Sequence, residues 1–201
     1  MKSSSIALAL LLAGCAAGSS NEQVAAKALQ VMKASFKENG QARLDRLEQD
    51  ETQKLCSAAV GGPSKEISAR VEKINTASLA YPADGKLLGD WREGEKIAQS
   101  GIGMQFSDNP KVPAGANCYA CHQLSKTEIS FGTIGPSLYH FGKLRGNSEA
   151  IQRYTYGKIY NPQAFTACSN MPRFGHNRIL TPEQMKHLTA LLLDPASPVN
   201  Q

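Results

Sequence analysis

The 201-residue chain has little excess of charge of either sign: its formal charge is +5, with Lys and Arg interspersed among the acids. Such a mild surplus argues against a nucleic-acid-binding role. No run of β-branched residues reads as a strand of consequence, so the chain reads as all-α. The apolar run Ile6–Leu12 is too short for a membrane span. Cysteines are few and mostly isolated. Cys15, Cys56 and Cys168 stand far apart, leaving no second close pair to complete a zinc site with Cys118 and Cys121. No βαβ pattern leads into that pair, which removes a thioredoxin-like reading. The chain also lacks a separate acid–base or nucleophilic constellation.

What is present centres on Cys118-Tyr119-Ala120-Cys121-His122. Two thiols at this spacing reach the two vinyl positions on one porphyrin edge, and the adjacent imidazole can turn beneath the iron, so the run suits covalent attachment of one haem c. A haem core needs about a hundred residues, and the surplus lies at the N-terminus.

That surplus begins with Lys2 and the Ile6–Leu12 run, which read as an export signal over residues 1–14. Leu12-Ala13-Gly14-Cys15 resembles the bacterial lipobox, which implies Cys15 as the lipidated mature N-terminus and a lipid anchor to the membrane. Ordinary cleavage near Ala16-Ala17-Gly18 is the alternative. Either route leads to the periplasm, where haem is attached and disulfides persist. With Cys15 assigned to lipid and Cys118 and Cys121 to thioethers, Cys56 and Cys168 remain as a predicted disulfide, two unpaired buried thiols being the other reading.

Residues 15–80 read as a helical extension. Ala25, Leu29, Met32 and Phe36 recur at helical spacing, with Met32 as core filler. A second helix takes Leu44, Leu47 and Leu55 on one face, with Asp50 among its outward charges. A third runs through Ile67, Val71 and Ile74. Residues 81–201 read as the haem domain. Asp90 caps a helix from Trp91 to Ser100 whose Gly94 marks close approach by another helix, and the last helix, opened by Thr181-Pro182-Glu183-Gln184, is the expected neighbour. A further helix lies around 149–158.

This order, with terminal helices crossing and the haem between them, is similar to the class I cytochrome c fold. His122 is the fifth iron ligand by the motif. For the sixth, Met171 follows about fifty residues beyond His122, in a loop stiffened by Pro172, which lets the chain return on the opposite face. Met104, in the Gly-rich loop before the motif, is the alternative. In class I cytochromes c a proline carbonyl from the following loop orients the histidine, and Gly135-Pro136-Ser137-Leu138 resembles that element. The resemblance implies this role for Pro136, a plain turn being the other reading. Arg173 reads either as a propionate partner or as an exposed side chain.

Three segments are similar to a narrower family: Gly135-Pro136-Ser137-Leu138, Tyr160-Asn161-Pro162-Gln163-Ala164-Phe165 and Met171-Pro172-Arg173-Phe174-Gly175. They resemble SoxX, the monohaem cytochrome subunit of the SoxAX complex of bacterial sulfur oxidation, over about residues 85 to 195. The resemblance implies a heterodimer with a SoxA-type cytochrome subunit. It also implies the electron-accepting part of an L-cysteine S-thiosulfotransferase, in which thiosulfate is joined to a cysteine of the SoxYZ carrier, and a downstream electron-acceptor cytochrome. On that reading catalysis resides in the partner. A freestanding lipid-anchored cytochrome serving an oxidase or reductase is the competing expectation, and a haem enzyme with an open sixth site is a third.

Overall fold

A computed structural model describes residues 21–201; the signal and the Cys15 readings lie outside the described residues. The chain divides into two compact units, one ending at Lys37 and one spanning Glu38–Gln201. In the first, α1 (Asn21–Ser35) has no buried residue, and Met32 is exposed instead of filling a core.

The second unit is helical, with no strand among the described residues beyond one isolated bridge between Asn39 and Ala42. The element expected to run unbroken past Leu44 and Leu55 is two pieces: a short 3-10 turn, Leu44–Leu47, and then α2 (Glu51–Ala58). The break lies at Asp50. Its carboxylate accepts the Gln53 N–H at 2.8 Å while the Gln53 side chain accepts the Asp50 N–H at 2.9 Å, so Asp50 opens a helix and is not part of one. Next come α3 (Lys65–Ala77), capped by Ser64, and α4 (Trp91–Gln99), capped by Asp90. They are followed by α5 (Phe141–Arg145), α6 (Glu149–Tyr160) and α7 (Pro182–Leu193). The five-residue α5 had no signal strong enough to read from sequence.

The core forms where α4 crosses α7. A methyl group on Gly94 would stand 2.2 Å from the His187 carbonyl oxygen and 3.0 Å from the Leu191 Cβ, so the two backbones meet at a distance only glycine permits. Around this crossing Ala98, Leu124, Tyr156, Met185, Leu188 and Leu191 are buried, each large aliphatic side chain contributing about 1.5–3 kcal/mol by leaving water. His187 also serves the crossing, since its Nδ1 accepts the Asp90 N–H at 2.8 Å and ties the start of α4 to α7.

Residues 38–80 join this unit mainly through polar contacts. Asn75, fully buried on α3, donates to Thr52 Oγ1 at 2.8 Å and accepts from Asn161 Nδ2 at 2.8 Å, linking α2, α3 and the end of α6. Arg46 donates to the Met104 carbonyl oxygen at 2.8 Å, and Gln41 to that of Gln105 at 2.9 Å.

Candidate haem-binding site

The end of α4 delivers the chain to the Cys-x-x-Cys-His run. Gly101 takes a left-handed φ of +62° just past the helix, and Ala116 N–H then returns to the Ile97 carbonyl at 2.9 Å. Cys118–Ala120 coil into one 3-10 turn, capped by Asn117, whose side chain accepts the Ala120 N–H at 3.2 Å. The N–H groups of Cys121 and His122 both bond the Cys118 carbonyl, at 3.1 and 2.9 Å, so the two sulfurs and the ring project from a single turn. Neither thiol is bridged. Burial pushes the Cys118 thiol up to about 12, which keeps it a neutral group.

The loop after the motif is laid against it by three backbone bonds: Gly132 N–H to Tyr119 at 3.0 Å, Gly135 N–H to Cys121 at 2.8 Å and Leu138 N–H to Gln123 at 2.8 Å. This brings the Pro136 carbonyl oxygen to 2.7 Å from His122 Nδ1. A carbonyl can only accept, so Nδ1 carries the proton and Nε2 keeps its lone pair, the form an imidazole must have to bind iron. Gly135 makes the arrangement possible, because a Cβ there would be 2.1 Å from His122 Cε1. Gly132 does the same for the motif's backbone, its Cβ position lying 1.8 Å from the Ala120 carbonyl oxygen. Two free thiols, a histidine with fixed tautomer and a shared turn fit covalently attached haem, which supplies a one-electron couple when bound.

Met171 is half-buried and packs against the core cluster with Cys118, Tyr119, Leu138 and Phe174. Its loop is held by Gly175 and His176, whose N–H groups both reach the Tyr160 carbonyl, at 3.0 and 3.1 Å, and by the Met171 N–H bonded to Ser169 Oγ at 3.2 Å. Cys168 is joined to Cys56 in a disulfide. Arg173 is not an exposed side chain. Its guanidinium is buried and bonded to Asp50 Oδ2 at 2.6 Å. Met104 sits in a loop with φ +60°, its carbonyl fixed by Arg46, and His140 is tied to the C-terminus, bonding Val199 O through its N–H and Gln201 O through its ring. Met185 is core.

A model of the cytochrome c family matches residues 106–194. The chain is also 39% identical over 157 residues to an uncharacterized lipoprotein of Aquifex aeolicus (strain VF5), an alignment covering 76% of this chain and 73% of that relative. The chain carries a cytochrome c domain. Its all-α architecture, with terminal helices α4 and α7 crossing beside the haem motif, is that of a class I cytochrome c. Its function is accordingly electron transfer on haem c.

Proposed function

We propose that this cytochrome is the monohaem electron-transfer subunit of a thiosulfate-oxidising complex of the SoxAX type. Cys118 and Cys121 hold the single haem c, and His122 and Met171 close the iron on both faces. Met171 on a disulfide-bearing loop, half-buried against the core, is the observation that carries this reading: a site closed on both sides carries electrons without offering a substrate a vacancy. A thioether ligand favours the ferrous state and raises the potential relative to two histidines. The similarity of segments 135–138, 160–165 and 171–175 to SoxX supports the partner and the substrate. Joining thiosulfate to a carrier cysteine breaks the thiol S–H bond, forms one S–S bond and releases one proton to solvent and two electrons, which this chain accepts singly from a SoxA-type subunit and passes to an acceptor cytochrome. That makes the chain the electron-accepting half of an L-cysteine S-thiosulfotransferase. The relative's description as a lipoprotein, with Leu12-Ala13-Gly14-Cys15, supports a periplasmic protein anchored through Cys15.

The same anchor suits a freestanding shuttle to an oxidase or reductase. One experiment separates the two. On the proposed reading the holoprotein co-purifies with a second c-type cytochrome, and thiosulfate reduces it only when that subunit and the carrier protein are both present. Isolation without a haem-bearing partner, together with no thiosulfate-dependent reduction, refutes the SoxAX reading and leaves the shuttle.

A further inference from the structure

The loop bearing Met171 meets α2 at two points that bracket the methionine. Three residues before it, Cys168 is bonded to Cys56; two residues after it, Arg173 donates to Asp50 Oδ2. Asp50 and Cys56 mark the start and the third-last residue of one helical segment, about 9 Å apart at 1.5 Å per residue. The Gly175 and His176 bonds to Tyr160 hold the far end of the loop, and the two attachments to one rigid helix fix the segment around Met171 in position and direction.

Asp50 divides its oxygens between the two tasks. Oδ1 accepts the Gln53 N–H and sets where α2 begins, and Oδ2 holds the guanidinium. The Arg173 side chain is only 8% exposed, so its charge depends on that carboxylate, a buried charge without a partner being strongly unfavourable. His176 Nε2 lies 3.9 Å from the same oxygen, beyond hydrogen-bonding distance, so the close bond is that of Arg173. Close packing does not do the work instead. Between α2 and the loop lies a cavity of about 370 Å³, lined by Thr52, Gln53, Asn170, Met171 and Asn177 among others, and by none of Cys118, Cys121 and His122. Across that space the discrete links from α2 to the loop are the Cys56–Cys168 bond and the Asp50–Arg173 pair.

We infer that Asp50, acting through Arg173, is a positioning residue for Met171, and that together with the Cys56–Cys168 bond it makes α2 a two-point clamp on the sixth-ligand loop. The inference rests on the reading of Met171 as the sixth ligand. Releasing either point increases the fraction of protein in which the sulfur is off the iron, and an added ligand binds more tightly in proportion to that fraction.

The test uses the ferric holoprotein of the full chain and imidazole as the probe, with hydrogen exchange of residues 168–177 as a second readout. Asp50→Asn keeps a good helix cap but removes the charge. It is compared with wild type before and after reduction of the disulfide in the folded protein, with Met171→Ala, and with Asn75→Ala, which loosens the α2–α3 junction without touching the loop. Expected are imidazole affinities at least tenfold higher in Asp50→Asn and in the disulfide-reduced protein, faster exchange across 168–177 in both, and wild-type imidazole affinity in Asn75→Ala. Equal affinities in wild type, Asp50→Asn and reduced protein overturn the clamp while Met171→Ala still binds imidazole strongly. So does an Asn75→Ala effect as large as that of Asp50→Asn, since the cause is then general loosening. If Met171→Ala leaves both spectrum and affinity unchanged, the ligand reading itself falls and the clamp falls with it.

Discussion

Replacing Gly135 by alanine perturbs the haem site through one added methyl group. Gly135 does not have a left-handed φ, so alanine is acceptable to the backbone and the whole effect is steric. The new Cβ would stand 2.1, 2.5 and 2.7 Å from Cε1, Nδ1 and Nε2 of His122, where an ordinary contact needs more than 3.4 Å. The ring must therefore retreat by roughly 1 Å, and the 2.7 Å bond from Nδ1 to the Pro136 carbonyl stretches beyond hydrogen-bonding distance. His122 is half-buried and can move outward, so the overpacking cost falls near the lower end of its range of about 1–3 kcal/mol. Loss of the hydrogen bond adds about 1 kcal/mol. The sum of about 2–3 kcal/mol corresponds to a fall in Tm of roughly 4–12 °C for a chain of this size. Thermal unfolding of the holoprotein followed by circular dichroism measures the fall, and potentiometric titration measures the second consequence, a changed reduction potential once the ligand loses its orienting acceptor. A Gly135→Ala holoprotein with wild-type Tm and wild-type potential would refute the reasoning, because the ring would then have been free to move at no cost.

Gly94→Ala should destabilise the protein even though alanine is the better helix former by about 1 kcal/mol, because the 2.2 Å approach to the His187 carbonyl forces α4 and α7 apart; a net loss of about 1–2 kcal/mol in urea titration is expected, and any stabilisation would contradict the crossing. Removing the Cys56–Cys168 bond by a double serine substitution opens a link across a sequence separation of 112, for which the chain-entropy model gives about 4–5 kcal/mol, checked by the shift in denaturation midpoint at constant slope. Burial alone would raise the Asp50 carboxyl, but the Gln53 N–H and the Arg173 guanidinium outweigh it and hold it below its ordinary 3.8. Its contribution to stability is then full above that ordinary value and drains away as pH falls through the lowered folded value, so wild type should lose more stability than Asp50→Asn over that acid window.

The longer helices of the haem domain, α4, α6 and α7, were legible because each carries its own punctuation. Asp90, Ser148 and Thr181 cap α4, α6 and α7, and Gly94, costly inside a helix, announced the crossing it permits. Cys118, Cys121 and His122 were legible as a local pattern, and the loop contact through Pro136 through resemblance. The Cys56–Cys168 pairing was reached by counting thiols, but the polar partnerships across long stretches of chain failed to show. Asp50 fits the outward face of a continuous helix as well as it fits a cap, and only Gln53 three residues later hinted at the break. Arg173 finds its carboxylate 123 residues away, and no local pattern encodes that pairing. Met32 obeyed helical periodicity, yet a stripe of apolar residues specifies a face without specifying anything to cover it.

The segment from Glu38 to Ser78 adds little to the apolar core, since Val71 is its only fully buried hydrophobic residue. Its side chains instead go to loops and helix ends: Gln41 and Arg46 to residues 104–108, Asp50 and Cys56 to residues 168–173, and Asn75 and Ser78 to Asn161. Directional bonds of this kind contribute modestly to net stability, about 1 kcal/mol each, but each is satisfied in only one register. An apolar layer would have tolerated sliding. A c-type cytochrome needs its helices for the core and its loops for the ligands, and the loops are the parts most prone to open locally. Bracing them with directional polar contacts restrains the parts of the molecule on which ligand geometry depends, which is why the weight of these contacts, the Cys56–Cys168 bond apart, should be sought in loop opening more than in global unfolding.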